Sequence, residues 1–147
     1  MISFSTITSA SAAANYYSDV QKAAEYYDAG GRVPSRWIGS GAALQGLRAE
    51  VGRAALRDQL SGKVHDRDGT ARQLGIQRAG EWQHRAGWDF IVSALKSVSI
   101  ESLVHNRDDV DNAHRRAVGA VIEYFEKRAA TVRINGEYVV TGNLIAA

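Results

Sequence analysis

Apolar and polar residues alternate from the start of the chain. Ile2-Ser3-Phe4-Ser5-Thr6-Ile7 has a two-residue period and is rich in β-formers, which predicts a strand. The period then lengthens. Ser9 or Ser11 is placed to cap a helix running through Ala12-Ala13-Ala14 to Tyr16 and Tyr17. Val20, Ala23, Ala24 and Tyr27 share one helical face, so residues 18–28 read as helix too. Ala29-Gly30-Gly31-Arg32-Val33-Pro34-Ser35 holds the only proline and a Gly-Gly, and predicts a loop. Arg36-Trp37-Ile38-Gly39-Ser40-Gly41 leads into a short helix at Ala42 to Leu47. Residues 49–60 predict an amphipathic helix with Val51, Ala54, Ala55 and Leu56 inward, stopped by Gly62. Lys63 to Gly80 is polar and reads as irregular, with a turn at Asp66, Asp68 and Gly69.

In the second half, Trp88, Phe90 and Val92 alternate with Asp89, Ile91 and Ser93, so Trp88 to Ser93 predicts a strand. A helix is expected to begin near Ser97 or Ser99, with Glu101 in its first turn. Val110 to Ala130 predicts a long helix whose buried stripe is Ala113, Ala117, Ala120, Val121, Tyr124 and Phe125. Val132 to Val140 reads as a hairpin about a type I′ turn at Asn135-Gly136. Asn143-Leu144-Ile145-Ala146-Ala147 looks like the opening of another strand. The chain stops there in apolar sequence, so a fragment of a larger domain is expected.

Composition narrows the classes. A chain of 147 residues is about one domain by length and buries roughly two-thirds of its unfolded surface. There is no cysteine, which excludes disulfides and thiolate metal sites. No run of apolar residues is long enough to span a membrane, and Met1 to Ala14 lacks the basic start of a secretory signal, the first base being Lys22. A cytoplasmic protein is expected. Net charge is only +2, yet residues 31–90 carry ten bases against six acids, most of those bases arginine. Arginine's planar fork suits phosphate, which points weakly to nucleic acid; a solvated face accounts for the charge about as well.

The candidate chemistry begins with tyrosine. Four of the six tyrosines form two pairs, Tyr16-Tyr17 and Tyr26-Tyr27. A phenol ionises near pH ~10 and is a poor nucleophile until a base or a metal ion assists it. A tyrosine that attacks a DNA phosphodiester stays joined to the cut strand, and two pairs could serve two transfer steps. The plainer reading is that such pairs pack on a core and hydrogen-bond at its edge. Asp89, between Trp88 and Phe90, is a candidate general base or else a carboxylate facing solvent. Ser93-Ala94-Leu95-Lys96-Ser97-Val98-Ser99 sets small hydroxyl residues around one lysine at a strand-to-helix junction. It could hold phosphate, or be an ordinary capped helix; it lacks the glycines of a Walker A loop. His65, His84, His105 and His114 are scattered, without the spacing of paired metal ligands. Trp37, Trp82 and Trp88 could stack on unpaired bases, although core packing is the plainer reading of each.

Several segments in order carry a resemblance. They are Ile7-Thr8-Ser9-Ala10 leading into Asn15-Tyr16-Tyr17, then Tyr26-Tyr27, then Arg36-Trp37-Ile38-Gly39-Ser40-Gly41-Ala42 with Gly46-Leu47. His84-Arg85-Ala86-Gly87-Trp88-Asp89, the Ser93 to Ser99 segment, Asn112-Ala113-His114-Arg115-Arg116-Ala117-Val118 and Thr141-Gly142-Asn143-Leu144 follow. Together they resemble the N-terminal part of the relaxase domain of TrwC-type (MobF class) conjugative relaxases, across almost the whole chain.

The resemblance implies an α+β fold, a central antiparallel sheet flanked by helices, incomplete at the C-terminal end, with residues 1–147 as the N-terminal portion of a single relaxase domain. It implies a DNA strand-transfer enzyme that nicks one strand at a plasmid transfer origin and stays joined to its 5′ end. Tyr16 matches the first nucleophile and Tyr26 the second-step tyrosine, with Tyr17 and Tyr27 assisting or substituting. Asp89 matches the carboxylate that helps deprotonate the first tyrosine. Arg36, Arg85 and Lys96 are the expected DNA contacts. The expected partner is single-stranded DNA at a transfer origin, with relaxosome proteins or a complementing C-terminal fragment as further partners. Leu95 and Ala86 stand where the family usually has proline. The family uses a divalent metal, Mg or Mn, held by three histidines that include a His-x-His pair just after the Thr-Gly-Asn-Leu segment. These ligands are expected to be absent from this chain, which ends at Ala147, and the polypeptide alone is expected not to nick DNA at a normal rate. The alternative is a non-catalytic module that binds single-stranded DNA or a relaxosome partner.

Overall fold

A computed structural model describes the backbone of residues 1–27, 35–48, 50–65 and 68–147, and the side chains of these except residues 21–27 and 134. The elements run β1 (Ile2–Ile7), α1 (Ala10–Tyr27), α2 (Ser40–Leu44), α3 (Arg53–Leu60), β2 (Lys63–His65), β3 (Ala71–Gln73), β4 (Ile76–Arg78), β5 (Glu81–Gln83), β6 (Gly87–Val92), α4 (Lys96–Leu103), α5 (Asp108–Ala129), β7 (Thr131–Ile134) and β8 (Glu137–Val140). The fold is α+β, as expected. Its strands pair as β1-β6, β2-β3, β4-β5 and β7-β8. The chain divides into two compact units, one of Met1–Ser5 with Asp89–Leu144 and one of Thr6–Trp88 with Ile145–Ala147. Among the described residues, no helix is long and apolar enough to cross a membrane.

In the unit containing Asp89–Leu144, Met1 and Ser93 exchange backbone bonds of 2.7 and 2.9 Å, the mark of an antiparallel pair. Phe4 stacks on Phe90 at 5.8 Å between centroids, and Phe90 meets Phe125 at 5.0 Å. This ladder fastens α5 to the β1-β6 sheet, and each such pair contributes about 0.5–1.5 kcal/mol beyond its buried area. The sheltered stripe of α5 is Val110, His114, Val118, Val121, Ile122 and Phe125. The predicted stripe was therefore right at Val121 and Phe125 and wrong at Ala113, Ala117, Ala120 and Tyr124, which are exposed. Larger apolar side chains gain more from shelter than alanine, and they set the rotation of the helix.

Two further features of this unit follow from local chemistry. Asp108, Asp109 and Asp111 lie in the first turn of α5, with Lys127 and Arg128 in its last, complementing the helix dipole. Arg107 donates two hydrogen bonds to Asp109, at 2.8 and 2.7 Å, and they hold its carboxyl at a pKa of about 2. α4 opens at Lys96, earlier than predicted, after Leu95 in extended conformation, so Glu101 is not in the first turn. The serine hydroxyls do not cap it; Ser99 Oγ donates back to the Leu95 carbonyl at 3.4 Å from inside the helix. The β7-β8 hairpin forms as predicted, with Asn135 at φ 51° and Gly136 at φ 94°.

In the other unit, Ser9 caps α1, its Oγ accepting the Ala12 N–H at 3.3 Å, and one helix runs through both tyrosine pairs. α2 starts two residues before its predicted position, at Ser40. α3 is shorter than the predicted 49–60, because Gly52 is its N-cap; Ala55 and Leu56 are half-buried but Ala54 is exposed. Gly62, at φ +77°, ends this stretch as predicted. The enclosed apolar residues among those described are Ala14, Ala42 and Val64. Small side chains let these elements approach closely.

The reading of Lys63 to Gly80 as irregular is corrected: β2, β3 and β4 lie there. Strands of three residues are too short to show a period. Asp68 Oδ1 accepts the Thr70 N–H at 2.9 Å within the β2-β3 turn, as expected for that turn, while Asp66 is outside the described residues. The β4-β5 turn uses Ala79 at φ 49° and Gly80 at φ 84°, a primed turn without the usual asparagine. The predicted strand at 143–147 is a single bridge, Ile38 to Ala146. The predicted loop at 29–35 lies outside the described residues except for Ser35.

Candidate functional site

The tyrosines sit on α1. Ala14 faces inward, 1% exposed, and Tyr16 two residues later turns outward, 63% exposed. Tyr17 is half-buried and meets Tyr16 edge to face, with centroids 5.3 Å apart and planes at 75°. Tyr26 and Tyr27 lie on the same helix; ten residues of rise set them about 15 Å further along its axis. Their side chains are outside the described residues. Immediately before Tyr16, Asn15 Oδ1 accepts a hydrogen bond from Arg53 Nη2 of α3, at 2.5 Å.

Two of the expected DNA contacts belong to the same unit. Arg36 is exposed, two residues before the Ile38 bridge. Arg85 holds its guanidinium 5.5 Å from the centre of the Trp88 ring, and Trp88 is 50% exposed. This is a cation–π pair with a charged and a stacking component. The neighbouring His84 ring lies against Gly62, where an added Cβ would fall 2.8 Å from its Cγ. Burial pushes the His84 pKa below the usual histidine range, which favours the neutral ring.

Asp89 and Lys96 belong to the other unit. Asp89 is half-buried in β6, between exposed Trp88 and Phe90. Lys96 is exposed at the first residue of α4, so the predicted strand-to-helix junction is present. A cleft of about 240 Å³ lies between α4 and α5, lined by Val98, Ser102, Val110, Asp111 and His114 among others. Ala94, Val98 and Ser99 of the candidate phosphate segment line it, whereas Tyr16, Tyr17, Asp89, Arg36, Arg85 and Lys96 do not.

Among the described residues, no group of three or more histidines or carboxylates gathers to hold a metal ion. The described residues therefore do not fit a three-ligand metal site. His105 Nδ1 instead lies 3.2 Å from Glu101 Oε1, one helical turn away. Sequence reasoning missed the Asn15–Arg53 contact. Its partners are 38 residues apart, and neither carries a local signal.

A family model described as TrwC relaxase matches residues 10–147. The chain is 35% identical over 150 residues to the multifunctional conjugation protein TraI of Escherichia coli, an alignment covering 100% of this chain and 8% of that protein. Its structure is similar to TrwC complexed with a 27-mer DNA comprising the recognition hairpin and the cleavage site. The TM-score is 0.64 and the identity 32%, over 99% of this chain and 47% of that one. It is also similar to a copper-bound structure of the conjugative relaxase TrwC in complex with OriT DNA. Here the TM-score is 0.71 and the identity 34%, over 99% of this chain and 49% of that one. The chain thus spans 8% of the curated relative and about half of the solved chains.

Proposed function

Since the chain belongs to the TrwC relaxase family, we propose that it is the nucleophile-bearing part of a conjugative DNA relaxase, a site- and strand-specific transesterase acting at a plasmid transfer origin in the cytoplasm. In this reading Tyr16 Oη attacks the scissile phosphodiester of a single strand. An oxygen–phosphorus bond forms, the bond to the upstream 3′ oxygen breaks, and the strand stays joined as a 5′-phosphotyrosine. The phenol proton passes to a general base, the part proposed for Asp89 from its match to the family's carboxylate, and the released 3′ oxygen takes up a proton from solvent. One phosphodiester replaces another, so the link can be resealed without an energy source. Tyr26 serves the second transfer, Tyr17 and Tyr27 assist, and Arg36, Arg85 and Lys96 hold backbone phosphates.

The observation that carries this reading is the exposure of Tyr16, at 63%, in a segment matched by the family model. A core tyrosine would be out of reach of a DNA strand. The test uses the purified chain and a single-stranded origin oligonucleotide whose scissile 3′ oxygen is replaced by sulfur. A thiolate leaves far more readily than an alkoxide and needs little charge stabilisation. The expected result is a denaturant-resistant protein–DNA adduct that disappears in Tyr16→Phe. Binding without any adduct favours the non-catalytic module; an adduct that survives in Tyr16→Phe overturns the assignment of the nucleophile.

A further inference from the structure

We propose that Arg53, held by Asn15, takes the DNA phosphate next to the one that Tyr16 attacks; this rests on the function proposed above. Arg53 is the first residue of α3, and its side chain crosses to α1 to donate to Asn15 Oδ1. Both residues are exposed. What matters is the chemistry of the acceptor. Arg107 and Arg115 are each bonded to a carboxylate, Asp109 and Asp111, which cancels their charge locally. Arg53 is bonded to a neutral amide, and among the described residues it forms no ion pair. One of its five donors is used to fix its direction; the full positive charge and the remaining donors stay available.

The position suits an anion. Successive residues of a helix are rotated by about 100° and rise by about 1.5 Å, so Asn15 and Tyr16 hold adjoining sectors of the α1 surface. A strand with one phosphate against Tyr16 must lay the neighbouring phosphates across adjoining surface. A guanidinium anchored there meets the next phosphate with a planar fork matched to two of its oxygens. None of the three arginine and lysine contacts expected from the sequence lies on α1 or α3. Arg53 therefore supplies a cation beside the nucleophile that the sequence did not reveal.

The test measures binding of the full chain to a fluorescent single-stranded origin oligonucleotide across a range of salt concentrations. Each phosphate contact contributes about 0.7 to the slope of log affinity against log salt on a single strand. Arg53→Gln is expected to make the slope shallower by about 0.7. Asn15→Asp is expected to do the same while leaving the arginine in place, because a carboxylate converts the anchor into an ion pair. Arg53→Lys, which keeps the charge and loses the fork, is expected to bind more weakly with the slope retained. Circular dichroism melting of each variant checks the fold; if Arg53→Gln unfolds, Asn15→Asp decides the matter alone. Unchanged slopes in both charge-cancelling variants, with wild-type binding intact, overturn the role of Arg53 and leave the proposed function standing. Failure of the wild-type chain to bind the oligonucleotide overturns both.

Discussion

Tyr17 braces Tyr16 through an edge-to-face contact, 5.3 Å between ring centroids. The contact depends on the rings and not on the hydroxyls. Tyr16→Phe therefore keeps an interaction worth about 0.5–1.5 kcal/mol while removing the attacking oxygen. The expected outcome is loss of the covalent adduct with the melting temperature unchanged. Tyr17→Phe is expected to slow adduct formation by no more than about tenfold, the scale of one hydrogen bond. Gel analysis of adducts beside thermal melts checks both. Equal loss in the two variants would mean that the nucleophile has been misassigned within the pair.

Asp89 carries the second prediction. A general base contributes about 10²–10⁴ to a rate, so Asp89→Asn is expected to slow adduct formation by at least about a hundredfold. The pH profile identifies the cause. A phenol ionises unaided near pH ~10, so the deficit is expected to shrink as pH rises toward that value. A deficit independent of pH would assign Asp89 a structural part instead. The readout is the adduct rate at a series of pH values for both proteins.

Gly75 tests the fold of the segment that was read as irregular. Its φ is +116°, and an added Cβ would lie 2.5 Å from the Gln83 carbonyl oxygen. Gly69 has φ +83° and open space where its Cβ would be. Gly69→Ala thus meets only the left-handed backbone cost, about 1–2 kcal/mol, whereas Gly75→Ala adds a clash with backbone that cannot turn away. Gly75→Ala is expected to lower the melting temperature further than Gly69→Ala, by about 2–4 °C per additional kcal/mol. Equal shifts would show that β4-β5 is not paired as described.

Legibility in the sequence followed the range of the signal. β1, the long helix α5 and the β7-β8 turn each declare themselves within a few residues, through alternation, a sustained helical period or Asn135-Gly136. The strands from Lys63 to Gln83 did not, since three residues show no period and the Ala79-Gly80 turn lacks the usual marker. The inward face of α5 was misread because alanines at regular spacing resemble a core stripe, while Val118, Ile122 and Phe125 decide the rotation. Tyr16, Tyr17, Asp89, Arg36, Arg85 and Lys96 were picked out as candidates through ordered segments. The Asn15–Arg53 bond has no such trace, because only the packing of α1 on α3 creates it.

His84 supplies the remaining prediction, because its ring is pressed against Gly62 and partly shut off from water. Burial disfavours the charged ring, so the folded-state pKa lies below the usual 6.5. The unfolded chain then holds a proton where the folded chain does not. The stability that depends on neutral His84 is complete above pH ~6.5 and declines as the pH falls toward the lowered folded value. The melting temperature is expected to drop between about pH 7 and pH 5, and His84→Gln is expected to flatten that slope. Assigned histidine signals in a proton NMR titration give the direct check. A His84 midpoint at or above 6.5 would mean that the ring is solvated and that the Gly62 contact does not persist in solution.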